Sequence, residues 1–326
     1  MRTRASATRR TVLRGGAAAL VATGIPGAAR CAVRLSVANV AADFALIMGE
    51  FGQKLGIPQR HGLDLEFVQI TQAKMVQAVV AGSIDVALAG GATLAFAAKG
   101  APLKAVAALS GPPSILVLIV RPDGPVVALD QLRGRTVAVT NAGSLTDWAV
   151  AQIAVSRGWD VADIRRVGVG DTPARVAALR TSAVDAAVID IAAALDLEER
   201  GVAKILLNFG DLITAFQNQI IFASDAAIAE KPDAVRAFVK GWFETVAYAR
   251  AHKPETVAFA EQALGVRTSV AAKVYDRLMG SSFFSADGAI DPAILALMSR
   301  SFVELKLLPA EQPLAQYVTD RFLPAR

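Results

Sequence analysis

The stretch AKMVQAVVAGSIDVALAGGATLAFAAKGAPLKAVAAL, residues 73–109, decides how this chain is read. Ala73 to Ala81 carries apolar residues at helical spacing. Gly82 follows, and glycine ends helices because it enters the left-handed backbone region without a Cβ clash. Asp85 to Ala89 is a short apolar run between turn residues, the pattern of a strand buried on both faces. Gly90-Gly91 breaks it. Thr93 to Lys99 reads as a second helix stopped by Gly100, and Leu103 to Leu109 as the next strand. Helix, strand, helix, strand at this spacing predicts parallel strands whose crossover helices cover the sheet.

The same alternation extends in both directions. Towards the N-terminus, Arg34 to Ala38 is strand-like, Asn39 to Asp43 a break, Phe44 to Leu55 helical, and Leu63 to Ile70 an alternating strand. Towards the C-terminus a second unit opens near Arg121. It runs through a helical turn (129–132), strand (136–140), helix (145–157), strand (164–169), helix (173–180), strand (186–189), helix (192–200) and strand (203–207). Beyond it, Gln219 to Ala223 is strand-like, and helices follow at 232–251, 254–264, 269–279 and 292–306. With no further sheet, these helices are expected to pack onto the first unit, which is otherwise small. The prediction is an α/β fold of two lobes, residues 33–118 plus 222–326 and residues 119–221. Each is a mostly parallel sheet flanked by helices, and two crossing segments act as the hinge.

Composition agrees with a large buried core: of 326 residues, 54% are hydrophobic and 19% charged, far from the makeup of a disordered chain. The net charge of +5 is local. The first 29 residues hold five of the 34 basic residues (Arg2, Arg4, Arg9, Arg10, Arg14) and no acid, which leaves 29 bases against 29 acids. A neutral body gives no basic patch for nucleic acid. One cysteine, Cys31, and two histidines, His61 and His252, offer neither an internal disulfide nor a zinc site.

Thr8-Arg9-Arg10-Thr11-Val12-Leu13-Arg14 has the pattern of a twin-arginine export signal. The apolar stretch from Gly15 to Pro26 is too short, at ~18 Å as a helix, to span a hydrocarbon core of ~30 Å. It reads as a signal segment, cleaved after Ala29. The mature protein is then expected in the periplasm. Arg30 stands where a lipidation motif before Cys31 wants Gly or Ala, which argues against a lipid anchor.

Three segments, in order, resemble a known family. They are Gly62-Leu63-Asp64-Leu65-Glu66-Phe67; then Ala81 to Gly90; then Leu132-Arg133-Gly134-Arg135-Thr136-Val137-Ala138-Val139 with Gly143-Ser144-Leu145-Thr146, Ala177-Ala178-Leu179 and Val184-Asp185-Ala186-Ala187. In order and spacing the chain resembles the nitrate/sulfonate/taurine branch of periplasmic solute-binding proteins, also called pyrimidine-precursor-biosynthesis-like. The resemblance implies a periplasmic-binding-protein fold of type II whose lobes close on a small-molecule ligand. It also implies delivery to the permease and ATPase subunits of an ABC importer. Membrane contact would come only through that permease, and the protein would act as a monomer. No cofactor, metal or catalytic residue is expected, and the chain lacks the phosphate-binding loop of an ATPase.

Ligands of open α/β sheets bind beyond the carboxyl ends of strands. The candidates there are Asp43, Phe44, Thr71, Gly90, Gly91, Thr93, Ser110, Gly143, Ser144, Thr146 and Asp190. The loop Asn141 to Thr146 enters a helix, so its N–H groups and hydroxyls could receive a sulfonate or carboxylate; the alternative is an ordinary Ser/Thr cap. On the ligand reading, Ser144→Ala with Thr146→Val weakens binding and spares stability. Phe44 is a candidate wall or a core residue. Asp43 and Asp190 are helix caps or partners for a ligand amine. Trp148 reads as core, and His61 as an exposed loop residue. Two other classes stay open: an enzyme on the same fold acting on a sulfur or pyrimidine compound, and a ligand-loaded partner of a membrane sensor. The enzyme reading meets the objection that no cysteine lies at a strand end.

Overall fold

The computed structural model of the chain describes residues 32–39, 43–304 and 307–324. The twin-arginine stretch, the cleavage position and Cys31 lie outside the described residues. Strands β1 (Val33–Asn39), β2 (Leu63–Gln69), β3 (Val86–Gly90) and β4 (Leu103–Ser110) build one sheet. Strands β5 (Leu116–Val120), β6 (Thr136–Val139), β7 (Arg165–Gly168), β8 (Ala186–Asp190) and β9 (Lys204–Asn208) build another, and β10 (Gln219–Ser224) returns to the first. The spatial orders are β2-β1-β3-β10-β4 and β7-β6-β8-β5-β9.

The two sheets follow one plan. β1 lies parallel to β2 and β3, and β6 lies parallel to β7 and β8. Into each sheet one strand arrives from the other side of the molecule and runs antiparallel to both its neighbours: β10 between β3 and β4, and β5 between β8 and β9. The chain crosses between the sheets twice, at 111–115 and 213–218. The arrangement is that of two lobes, each built on one sheet, joined by two crossing segments.

One boundary differs from the sequence reading. Residues 116–118 were expected in the first unit and 219–221 in the second. Leu116 to Val120 pairs wholly with β8 and β9, and Gln219 to Ala223 with β3 and β4. The reason is physical. Leu-Val-Leu-Ile-Val is apolar on both faces, so its pattern announces burial and not the sheet that buries it.

The C-terminal helices are also less one-sided than expected. Helix Pro232–Ala251 packs on helix Met48–Lys54 beside the first sheet, whereas helix Thr268–Met279 packs against Ile191–Glu199 beside the second. Arg267 and Lys273 pair there with Glu199 at 3.0 and 2.7 Å, and Arg267 with Asp196 at 2.9 Å. The last residues return to the first sheet, where Val318 bridges Ala105 and Phe284 bridges Ser110. No helix among the described residues is long and apolar enough to cross a membrane.

Candidate functional site

Between the strand ends of the two sheets lies a cavity of about 680 Å³. Its walls come from both sheets and from both crossings, among them Asp43 and Gly90 on one side, Thr140 to Thr146 on the other, and Ile115 and Asn218 at the back.

Asp43 lines this cavity, at the turn that leads into helix Met48–Lys54. Its Oδ1 accepts the N–H groups of Ala45 and Leu46 at 2.9 and 3.0 Å, and its Oδ2 accepts Gln219 Nε2 at 2.6 Å. Gln219 Oε1 in turn accepts the hydroxyl of Ser110 at 3.0 Å. Ser110 and Gln219 are register partners, the last residue of β4 and the first of β10. A polar chain therefore runs from the two strand ends that flank the crossings, Ser110 and Gln219, to Asp43 in the cavity wall. Burial raises the Asp43 carboxyl to about 6, against the opposing pull of its three donors. Asp190, at the end of β8, caps helix Ile191–Glu199 through Ala192 N at 2.7 Å. Burial, followed by the charge of Asp43, raises it to about 7.

The loop before helix Leu145–Ser156 uses much of its own hydrogen-bonding capacity. Gly143, at φ +74°, donates its N–H to Asp147 Oδ2 at 2.9 Å. Ser144 Oγ accepts Asp147 N at 3.3 Å and lies 2.9 Å from Thr146 Oγ1. Thr146 Oγ1 accepts Thr140 N at 2.9 Å. The Ser cap is thus formed. Asp147, 7% exposed, faces the positive end of the helix, and Arg166 Nε meets its other oxygen at 2.7 Å. Thr140 to Thr146 still line the cavity, but with fewer spare N–H groups than a bare loop would offer.

The third wall is helical. Ala92, Ala95, Phe96 and Lys99 follow the spacing i, i+3, i+4, i+7, one face of helix Thr93–Ala98 and its cap. Phe96 is 39% exposed. Lys99 is exposed, and no carboxylate pairs with it among the described residues.

Of the sequence candidates, Asp43, Thr71, Gly90, Gly143, Ser144 and Thr146 line the cavity. Five others do not. Phe44 is 1% exposed, with the rings of Tyr275 and Phe284 each 6.4 Å away, and it belongs to the core. Gly91 donates its N–H to Asn218 O at 2.8 Å. A Cβ there would collide with the carbonyl of Gln217 and come within 2.6 Å of Met298 Cε, so this glycine admits the second crossing. Thr93 is fully buried in the first helical turn. Ser110 supports Gln219, and Asp190 caps its helix. Trp148 is 7% exposed and stacks on Phe216 at 4.8 Å.

The sequence reading missed Phe96, Lys99, Ile115, Asn218, Gln219 and Leu307. The helical spacing from Ala92 to Lys99, just past a strand end, carried a usable signal for two of them. The others line the cavity through the crossings and a C-terminal segment, which no local pattern brings together.

Two sheets that exchange one strand each around a shared cavity define a two-lobed periplasmic-binding-protein fold. The chain belongs to the NMT1/THI5-like family, whose model matches residues 51–256. It is similar to the alkanesulfonate-binding protein SsuA from Xanthomonas axonopodis pv. citri bound to MOPS, at 20% identity and a TM-score of 0.74 over 88% of this chain and 98% of that one. It is similar also to the periplasmic aliphatic sulphonate binding protein SsuA from Escherichia coli, at 20% identity and 0.71 over 88% and 92%. The desulfurization enzyme DSZB has the same fold, at 16% identity and 0.62 over 89% and 97%. No curated protein matches the chain significantly.

Proposed function

We propose that this protein is the substrate-binding component of an ABC importer, which captures a small organic solute in the cavity between its lobes and hands it to a permease. The observation that carries this reading is the cavity itself, lined from both sheets and by both crossings. Closing the lobes about those crossings would bury a solute from both sides. Family membership and the fold shared with two sulfonate-binding proteins support it. The lobe division follows the sheets, with residues 111–115 and 213–218 as hinge. On this reading the twin-arginine stretch exports the chain to the periplasm, where it works as a monomer, touches the membrane through the permease, and needs no metal or cofactor.

The same reading makes the protein a receptor and not an enzyme. The fold alone does not separate the two, because DSZB shares it. The sequence argues for the receptor, since its one cysteine is Cys31, ahead of the first strand. Calorimetry and thermal shift with carboxylates, sulfonates, nitrate and pyrimidines test this directly. A solute at 100 times its Kd should add about 2.7 kcal/mol of stability and be recovered unchanged. Conversion of the solute, or no stabilisation by any small molecule, would overturn the proposal.

A further inference from the structure

The cavity walls narrow the solute, on the reading that this protein is a solute receptor. Three observations converge. The space, about 680 Å³, lies in the upper part of the range of sites for drug-sized molecules. Its walls are mostly aliphatic, with Leu46, Ile115, Leu116, Leu145 and Leu307 around the opening of the two sheets. Among the fourteen phenylalanines of the chain, Phe96 alone is exposed, and it presents its ring to this cavity with no aromatic partner among the described residues. An uncovered ring in an apolar cleft costs solvent-exposed surface that a stacked ligand would remove.

Charge then orients the ligand. Among the described residues Lys99 is the one cation that lines the cavity, three residues along the same helix face from Phe96. Asp43 also lines the cavity, with Asp190 close enough for their charges to interact. The helix start at Ser144 already faces the carboxylate of Asp147. An acid group is therefore disfavoured where Asp43 lines the cavity, and the second-lobe loop has its own anion. Lys99 is left to attract it.

We propose that the solute is a ring-bearing organic acid, stacked on Phe96 with its carboxylate or sulfonate on Lys99. Phe96 and Lys99 are then the specificity-determining pair. A flat apolar body satisfies the aliphatic walls, and a single anion pairs with the exposed ammonium. A solute as small and polar as nitrate would leave the walls wet.

Isothermal titration of the full chain at low salt tests this with benzenesulfonate and benzoate as ring acids, and methanesulfonate and nitrate as small ones. The ring acids are expected to bind about tenfold or more tighter than the small ones. Phe96→Ala should remove that preference, and Phe96→Tyr should restore it. Lys99→Gln should weaken both ring acids about tenfold with a reduced salt dependence, and Lys99→Arg should retain binding. Circular dichroism establishes that each variant is folded before titration. The sulfonate and carboxylate arms separate the two sources of the anion. If nitrate or methanesulfonate binds as tightly as benzenesulfonate, the receptor reading stands and this proposal falls. If folded Phe96→Ala and Lys99→Gln bind ring acids as the parent does, the proposal falls again. If none of the four acids binds, this proposal falls, while the receptor reading falls only if the wider panel, pyrimidines included, also fails to stabilise the protein.

Discussion

Asp43 and Asp190 belong to opposite sheets, yet the charge of one raises the carboxyl of the other. Each ends a strand-side turn and caps the next helical turn through one oxygen. Folding therefore holds two acids near each other in partly buried positions. Both carboxyls are raised, Asp43 to about 6 and Asp190 to about 7, above the ~3.9 of an unfolded aspartate. The folded state thus binds more protons than the unfolded chain between pH ~4 and ~7. That contribution to stability is present below pH ~4 and is lost as pH rises through the folded values. Asn at position 190 keeps the oxygen that accepts Ala192 N and removes the titration. Asp190→Asn should therefore gain on the parent as pH rises from about 4 to about 7, by on the order of 4 kcal/mol at pH 7.5. Urea denaturation at a series of pH values measures the difference, and a gap that does not vary with pH would contradict it.

Gly91 answers to packing. Its missing Cβ leaves room for the Gln217 carbonyl of the second crossing and for Met298 Cε. Gly91→Ala must displace backbone, which is costlier than turning a flexible side chain, and should destabilise by about 2 kcal/mol. Because the displaced segment precedes Asn218 and Gln219 in the cavity wall, the variant should also bind any solute less tightly. Thermal unfolding reads the first effect. Wild-type stability in Gly91→Ala would mean that the crossing does not abut this residue.

Two phenylalanines near the same cavity should respond in opposite ways. Phe44 is enclosed by Tyr275 and Phe284, so Phe44→Ala empties a core site and should cost about 3–5 kcal/mol. Phe96 is 39% exposed, so Phe96→Ala should change stability by less than about 0.5 kcal/mol. Chemical denaturation of the two variants side by side decides it. Equal costs would place both rings in the core.

The contrast between these rings shows what the sequence could convey. Alternating strand and helix signals from Arg34 to Ala89 and from Thr136 to Ile189 carried the parallel strands of each sheet, because burial and glycine stops are local. The antiparallel insertion of β5 and β10 was not legible, since Leu116 to Val120 and Gln219 to Ser224 look alike whichever sheet receives them. The loops Gly90 to Thr93 and Gly143 to Thr146 were found by the rule that ligands meet strand ends. Position along the chain could not say which way each side chain turns there. Phe44 follows Asp43, whose carboxylate holds the next turn through Ala45 and Leu46, and the ring is carried into the core. His61 was read as exposed, but Glu244, 183 residues away, holds it at 2.7 Å. Contacts at that separation leave no local trace.

The hydroxyls of Ser144 and Thr146 have structural partners, and this revises what their replacement should do. Ser144 Oγ accepts Asp147 N, and Thr146 Oγ1 accepts Thr140 N. Ser144→Ala removes a helix cap and should cost about 1 kcal/mol. Thr146→Val leaves the Thr140 N–H without its acceptor and should cost about 1–2 kcal/mol. The pair was expected from sequence to spare stability; the geometry says that it does not. The two hydroxyls also bond each other at 2.9 Å, so each single variant already loses that shared interaction. The double variant should therefore cost less than the sum of the singles, by about 0.5–1 kcal/mol. Urea denaturation of all four proteins closes the cycle. Strict additivity would show that the Ser144–Thr146 contact carries no energy, and that each hydroxyl stabilises the helix start only through its own partner, Asp147 N or Thr140 N.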